Sequence, residues 1–113
     1  MAIANESSGT QAATLTTEHE LAAPTTAKTR VLAVDLANLV NGEKLTLRIK
    51  SKVLTGGTVR TAYKAVYKHS QGSAGSPQIV YSDPIPQVFG GSFTLRQDGG
   101  TGRNFDWAVI TLD

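Results

Sequence analysis

The sequence predicts an all-β domain: a small antiparallel β-sandwich or open barrel of about six to seven strands, with a flexible N-terminal arm in front. Two observations carry that prediction. From Glu43 to His69 (EKLTLRIKSKVLTGGTVRTAYKAVYKH) apolar and polar residues alternate with period two on either side of Gly56-Gly57, the pattern of a long hairpin with one face buried. In the second half, glycines punctuate short apolar runs in the manner of turns between strands. At 113 residues the chain suits one domain, 14–113, behind the arm 1–13.

Taken in order, residues 1–13 are small and polar, with too little apolar surface to fold alone. They read either as a frayed terminus or as an arm that orders on a neighbouring subunit, with Ile3 and Glu6 as the contacts. Thr14 to Ala22 alternates and ends before Pro24, as an edge strand does, with Glu18 and Glu20 on its polar face. Lys28 to Leu36 is almost continuously apolar after Arg30, which suits a strand buried on both sides. Asp35 to Gly42 (DLANLVNG) predicts one or two helical turns, capped by Asp35, with Leu36, Leu39 and Val40 on one face and Asn41-Gly42 as a left-handed exit.

The central hairpin constrains its own turn. A two-residue Gly56-Gly57 turn would pair Ile49 with Lys64 and mix apolar with basic residues, whereas a loop of three or five residues pairs Ile49 with Ala65 and Leu47 with Tyr67. In that register Lys44, Arg48, Lys50, Lys52, Arg60, Lys64 and Lys68 gather on one face, with no acid between Lys44 and Lys68. Beyond it, Ser70 to Pro77 reads as an exposed, mobile seam of turn residues, Gln78 to Tyr81 as a short strand, and Asp83-Pro-Ile-Pro86 as an extended edge or turn. Val88 to Gln97 and Phe105 to Leu112 are two further strands. Gly90-Gly91 marks a bulge or a close backbone approach, and residues 98–104 form a glycine-rich hairpin loop. Phe93, Phe105, Trp107 and Tyr81 are expected in the core.

The chain has no cysteine, so disulfides and thiolate metal sites are excluded, and no apolar run approaches the roughly 20 residues of a membrane-spanning helix. The N-terminus lacks the basic and apolar regions of a secretory signal, which implies a cytoplasmically made protein. Net charge is only +2, but its distribution is uneven: Glu6, Glu18 and Glu20 precede any Lys or Arg, and an acidic segment of this kind could meet the basic hairpin face within or between chains.

Motifs for chemistry fail on context. Gly99-Gly100-Thr101-Gly102-Arg103 lacks the GxxxxGK[ST] spacing and precedes a strand, not the helix that a phosphate loop requires. His19 and His69 have no metal-motif spacing, and no serine sits in an activating GxSxG elbow. The expected protein is therefore no enzyme and carries no cofactor. Its basic face would meet an acidic protein surface rather than nucleic acid, because Tyr63 and Tyr67 lie on the opposite, apolar face and leave no stacking platform among the cations.

Several segments resemble small proteins encoded among the head genes of tailed bacteriophages. They are DLANLVNG (35–42), LRIKSKVLT (47–55), TVRTAYKAVYKH (58–69), Pro84-Ile85-Pro86 and FTLRQDGGTGRNFDW (93–107), whose TGRxFxW ending is the most distinctive part; together they cover about two-thirds of the chain. The resemblance implies a virion structural protein of the capsid decoration, or cement, type. It would be a homotrimer on the capsid surface, bridging major capsid protein subunits. A neck or tail component is the alternative within the virion, and a small nucleic-acid-binding β module the alternative outside it.

Overall fold

The computed structural model describes residues 3–40, 42–68 and 78–112. Among these residues nine strands make two antiparallel sheets that pack face to face as a small β-sandwich: β1 (Ile3–Ala12), β2 (Glu18–Ala22), β3 (Lys28–Asp35), β4 (Lys44–Ser51), β5 (Arg60–Tyr67), β6 (Ile79–Tyr81), β7 (Ile85–Gln87), β8 (Gly91–Asp98) and β9 (Asn104–Leu112). The first sheet runs β1-β9-β3-β6, with β7 also on β3; the second runs β2-β8-β4-β5. No helix occurs among the described residues.

Period-two alternation sends one set of side chains from each sheet into a shared core. Leu32, Val34, Phe105 and Val109 enter from the first sheet, and Leu45, Leu47, Ile49, Phe93 and Leu95 from the second, all at 2% exposure or less. Burying side chains of this size contributes about 1.5–3 kcal/mol each before the entropy of ordering them is subtracted.

Several expectations change. The segment read as a flexible arm is β1, paired with β9 from Ile3↔Leu112 to Ala12↔Asn104 with a bulge at Glu6. The bulge turns Glu6 toward Arg30, a wholly buried guanidinium whose Nε donates to Glu6 Oε1 (2.6 Å) and Nη2 to Oε2 (3.0 Å). Thr26 O and Oγ1 accept at 2.9 and 2.8 Å, and Gln87 Oε1 at 3.3 Å. A buried cation needs such a set of partners, and Glu6 supplies its charge. Glu6 is thus an intrachain anchor rather than a contact for another subunit, while Ile3 is 74% exposed on the outer face of the first sheet.

The strand count is higher than expected because β1 is a strand and because the stretch after residue 78 forms two pieces, β6 and β7, on opposite ends of β3. The expected helix is a single reverse turn, in which Leu39 N donates to Leu36 O and Asp35 Oδ1 accepts from Ala37 N. Leu36 and Leu39 are buried, but Val40 is 42% exposed, and Gly42 takes the left-handed φ of 92°. Asn41, His69 and the seam 70–77 lie outside the described residues.

The hairpin keeps the expected faces in a different register. Leu45 pairs with Tyr67, Leu47 with Ala65 and Ile49 with Tyr63; a bulge at Ala62 then brings Thr61 opposite Lys50 and Arg60 opposite Ser51. The loop is longer than predicted, spanning 52–59. The close approach at Gly90-Gly91 is present: a side chain on Gly90 would strike Pro24 O, and one on Gly91 would strike Lys50 O.

Candidate functional site

The outer face of the β2-β8-β4-β5 sheet carries the charged residues. The register places Lys44, Arg48 and Lys50 of β4 on it beside Lys64 of β5 and Arg96 of β8. Three of the predicted cations stand elsewhere. The β5 bulge carries Arg60 to the opposite side, Lys52 lies in the 52–59 loop with Nζ donating to Thr55 O (2.8 Å), and Lys68 is exposed just past the end of β5.

The face is also less uniformly basic than the hairpin alone implies, because edge strand β2 lays carboxylates across it. Glu18 lies 2.9 Å from Lys50 Nζ and 3.6 Å from Arg48 Nη1, and its Oε2 accepts from Thr94 Oγ1 at 2.6 Å. The Thr94 hydroxyl first and Lys50 second hold the Glu18 carboxyl below its ordinary pKa. Sequence reading placed Glu18 on a polar face but did not pair β2 with β8; the alternating carboxylates of a short edge strand were the available signal. The remaining exposed cations, Lys44 and Lys64, border this partly compensated centre.

Tyr63 and Tyr67 lie on the inner side of β5, packed against the core. No aromatic shares the outer face with the cations among the described residues.

The glycine-rich segment 99–103 binds an anion, and that anion is the chain's own Glu43. Glu43 is 2% exposed, accepts from Val40 N (3.0 Å) and Thr101 N (3.1 Å), and pairs with Arg103 through Nε and Nη2, both at 3.0 Å. Burial alone would raise its pKa, but these donors outweigh burial and lower it. Gly100, at φ 70°, leaves the space Glu43 occupies, since a side chain there would collide with the carboxylate. The expected hairpin loop is in fact a crossover, because β8 belongs to one sheet and β9 to the other. In the TGRxFxW stretch, Thr101 and Arg103 latch onto Glu43, Phe105 is fully buried, and Trp107 packs over Gly9, where an added side-chain carbon would sit 3.5 Å from the indole.

Two features had no counterpart in the sequence reading. An open groove of about 550 Å³ runs beside the tip of the hairpin, lined by Val53, Arg60, Ala62, Ile85, Pro86 and Val88 among others. On the outer face of the first sheet, Tyr81 is 61% exposed and Ile79 53%, so Tyr81 is a surface residue and not part of the core. A three-residue strand is too short for alternation to say which way its side chains point.

His19 Nε2 accepts from Thr14 N at 2.9 Å. No group of three or more potential metal ligands occurs among the described residues. Comparison with protein-family models, curated proteins and solved structures found no match to this chain.

Proposed function

We propose that this chain is a non-enzymatic virion structural protein of a tailed bacteriophage, which decorates the capsid and stabilises it by bridging major capsid protein subunits. The resemblance of the 35–42, 47–55, 58–69, 84–86 and 93–107 segments to small phage head proteins supplies the class of assembly. The observation that carries the mode of action is the cation-bearing outer face of the β2-β8-β4-β5 sheet, where Lys44 and Lys64 are exposed and Glu18 holds Arg48 and Lys50 in place. Such a face orients an encounter with an acidic surface and gives it specificity. Binding to the assembled shell, and not to free subunits, would stabilise the shell by mass action. Several copies acting together in an oligomer would multiply modest single contacts.

A nucleic-acid role is the weaker reading, because the tyrosines that would stack on bases are on the inner side of β5. The test is cosedimentation of the purified protein with expanded, undecorated heads, with shells emptied of DNA and with free DNA. Saturable binding to both head preparations and none to DNA is expected. Binding to DNA alone, falling steeply with salt, would overturn the reading.

A further inference from the structure

Two patches on this chain are complementary to each other and lie too far apart to meet within one molecule. Each includes a strand that pairs with β3, and the two strands lie at its opposite ends: β7, one wall of the groove, beside Lys28–Arg30, and β6 beside Ala33–Asp35. The first is the groove beside the hairpin tip. Its apolar walls include Val53 at 88% exposure and Val88 at 60%, with Ile85 and Pro86 from β7, and its rim carries the cations Lys52 and Arg60. The second is a knob, formed by Ile79 and Tyr81 standing out from β6. Beside it a shallow cleft of about 250 Å³ is lined by Asp35 and Asp106, and no Lys or Arg projects from that face among the described residues.

Large apolar side chains exposed in groups mark contact surfaces, since isolated monomers rarely leave them wet. The pairing of signs is specific as well. The apolar concave patch is rimmed by cations and the apolar convex patch by carboxylates, so two copies attract in the orientation that seats knob in groove, and like patches repel.

We propose that a second copy of this chain docks there, with Ile79 and Tyr81 of one copy entering the groove of the next while Lys52 and Arg60 face Asp35 and Asp106. The knob and groove are different patches, so the contact joins two copies mutually about a two-fold axis or runs head to tail, as a ring where the rotation closes and as a filament where it does not. The contact deepens the oligomeric part of the proposed function and rests on no capsid partner.

Sedimentation velocity of the full chain, across concentration and salt and without heads present, tests it. Val53→Glu and Tyr81→Glu change exposed side chains on opposite patches, and each should weaken association by about tenfold or more at unchanged far-UV circular dichroism. Arg60→Glu and Asp106→Arg should each weaken it too, and the two together should recover a large part of the loss, which misfolding would not do. An oligomer indifferent to Val53→Glu and Tyr81→Glu would overturn this interface and leave self-association standing. A monomer at all concentrations would overturn both, and the capsid reading would still have its own cosedimentation result.

Discussion

The two outer faces of the sandwich are built on the same strand periodicity and end in opposite chemistries. On the β2-β8-β4-β5 sheet every outward position of β4 is polar, and the cations are cross-linked in place by Glu18 and bordered by Asp98, which accepts from Arg96 Nε at 3.2 Å. On the β1-β9-β3-β6 sheet the middle of the outer face is small or apolar, with Ile110 and Ala108 on β9, Val31 and Ala33 on β3, and Ile79 and Tyr81 on β6, and its only charges among the described residues are the carboxylates Asp35 and Asp106. A charged face announces itself in sequence, and an apolar outer face does not. Alternation with lysines marks β4 as one-sided, whereas β3 reads as a strand buried on both sides although no second layer covers its outer side among the described residues.

Breaking the anchor of the apolar-faced sheet should have the largest effect. Arg30→Ala removes a wholly buried guanidinium and strands Glu6 and Gln87, so it is expected to cost about 3–5 kcal/mol. Urea unfolding reads the loss, and amide exchange should show β1 opening first. A cost below about 1 kcal/mol would mean that β1 is held by its ladder to β9 alone. Next comes the latch that joins the crossover to the turn before β4. Glu43→Ala leaves Arg103 and the amides of Val40 and Thr101 without their acceptor, and a loss of about 2–3 kcal/mol is expected by the same measurement.

Acid should weaken the β1 anchor, the charged face and the crossover latch together. The carboxyls of Glu6, Glu18 and Glu43 are all depressed in the folded state: Glu6 by hydrogen bonding to Arg30, Glu18 by Thr94 and Lys50, and Glu43 by its donors in spite of burial. A depressed folded pKa contributes stability that is fully present above the ordinary glutamate value of 4.5 and is lost as pH falls through the folded values below it. Thermal unfolding should therefore be nearly constant from neutral pH down to about 5 and fall progressively below 4.5. Glu43→Gln should flatten part of that fall.

The smallest effect on stability belongs to the charged face. Glu18→Gln breaks half-exposed pairs and should cost under about 1 kcal/mol, yet it unmasks Arg48 and Lys50. Binding to an acidic partner should then tighten and become more dependent on salt, which a salt titration of the binding reads directly.

Much of the fold was legible because charges and glycines mark what they constrain. The inward set Leu45, Leu47 and Ile49 follows from the lysines between them, and the approach at Gly90-Gly91 from two adjacent residues without side chains. What stayed illegible depends on distant partners. IANESSGTQA has no apolar alternation, and it becomes β1 through β9 at the far end of the chain and through Arg30, 24 residues beyond Glu6. The bulge at Ala62, which removes Arg60 from the basic face, is a one-residue insertion that leaves no trace in composition. TGRxFxW is distinctive for structural reasons: its polar residues hold Glu43 and its aromatics fill or cover the core, so it speaks to the fold and not to a partner.

The two proposed contacts use separate surfaces: the outer face of the β2-β8-β4-β5 sheet for a capsid, and the Ile79–Tyr81 knob with the hairpin-tip groove for a second copy. Cosedimentation of Lys44→Glu/Lys64→Glu with expanded, undecorated heads, beside sedimentation velocity of the same variant alone, tests that assignment most directly. Both residues are exposed, so the fold should be kept. Head binding should weaken by about tenfold or more with self-association unchanged. Head binding equal to that of the unaltered protein would contradict the assignment.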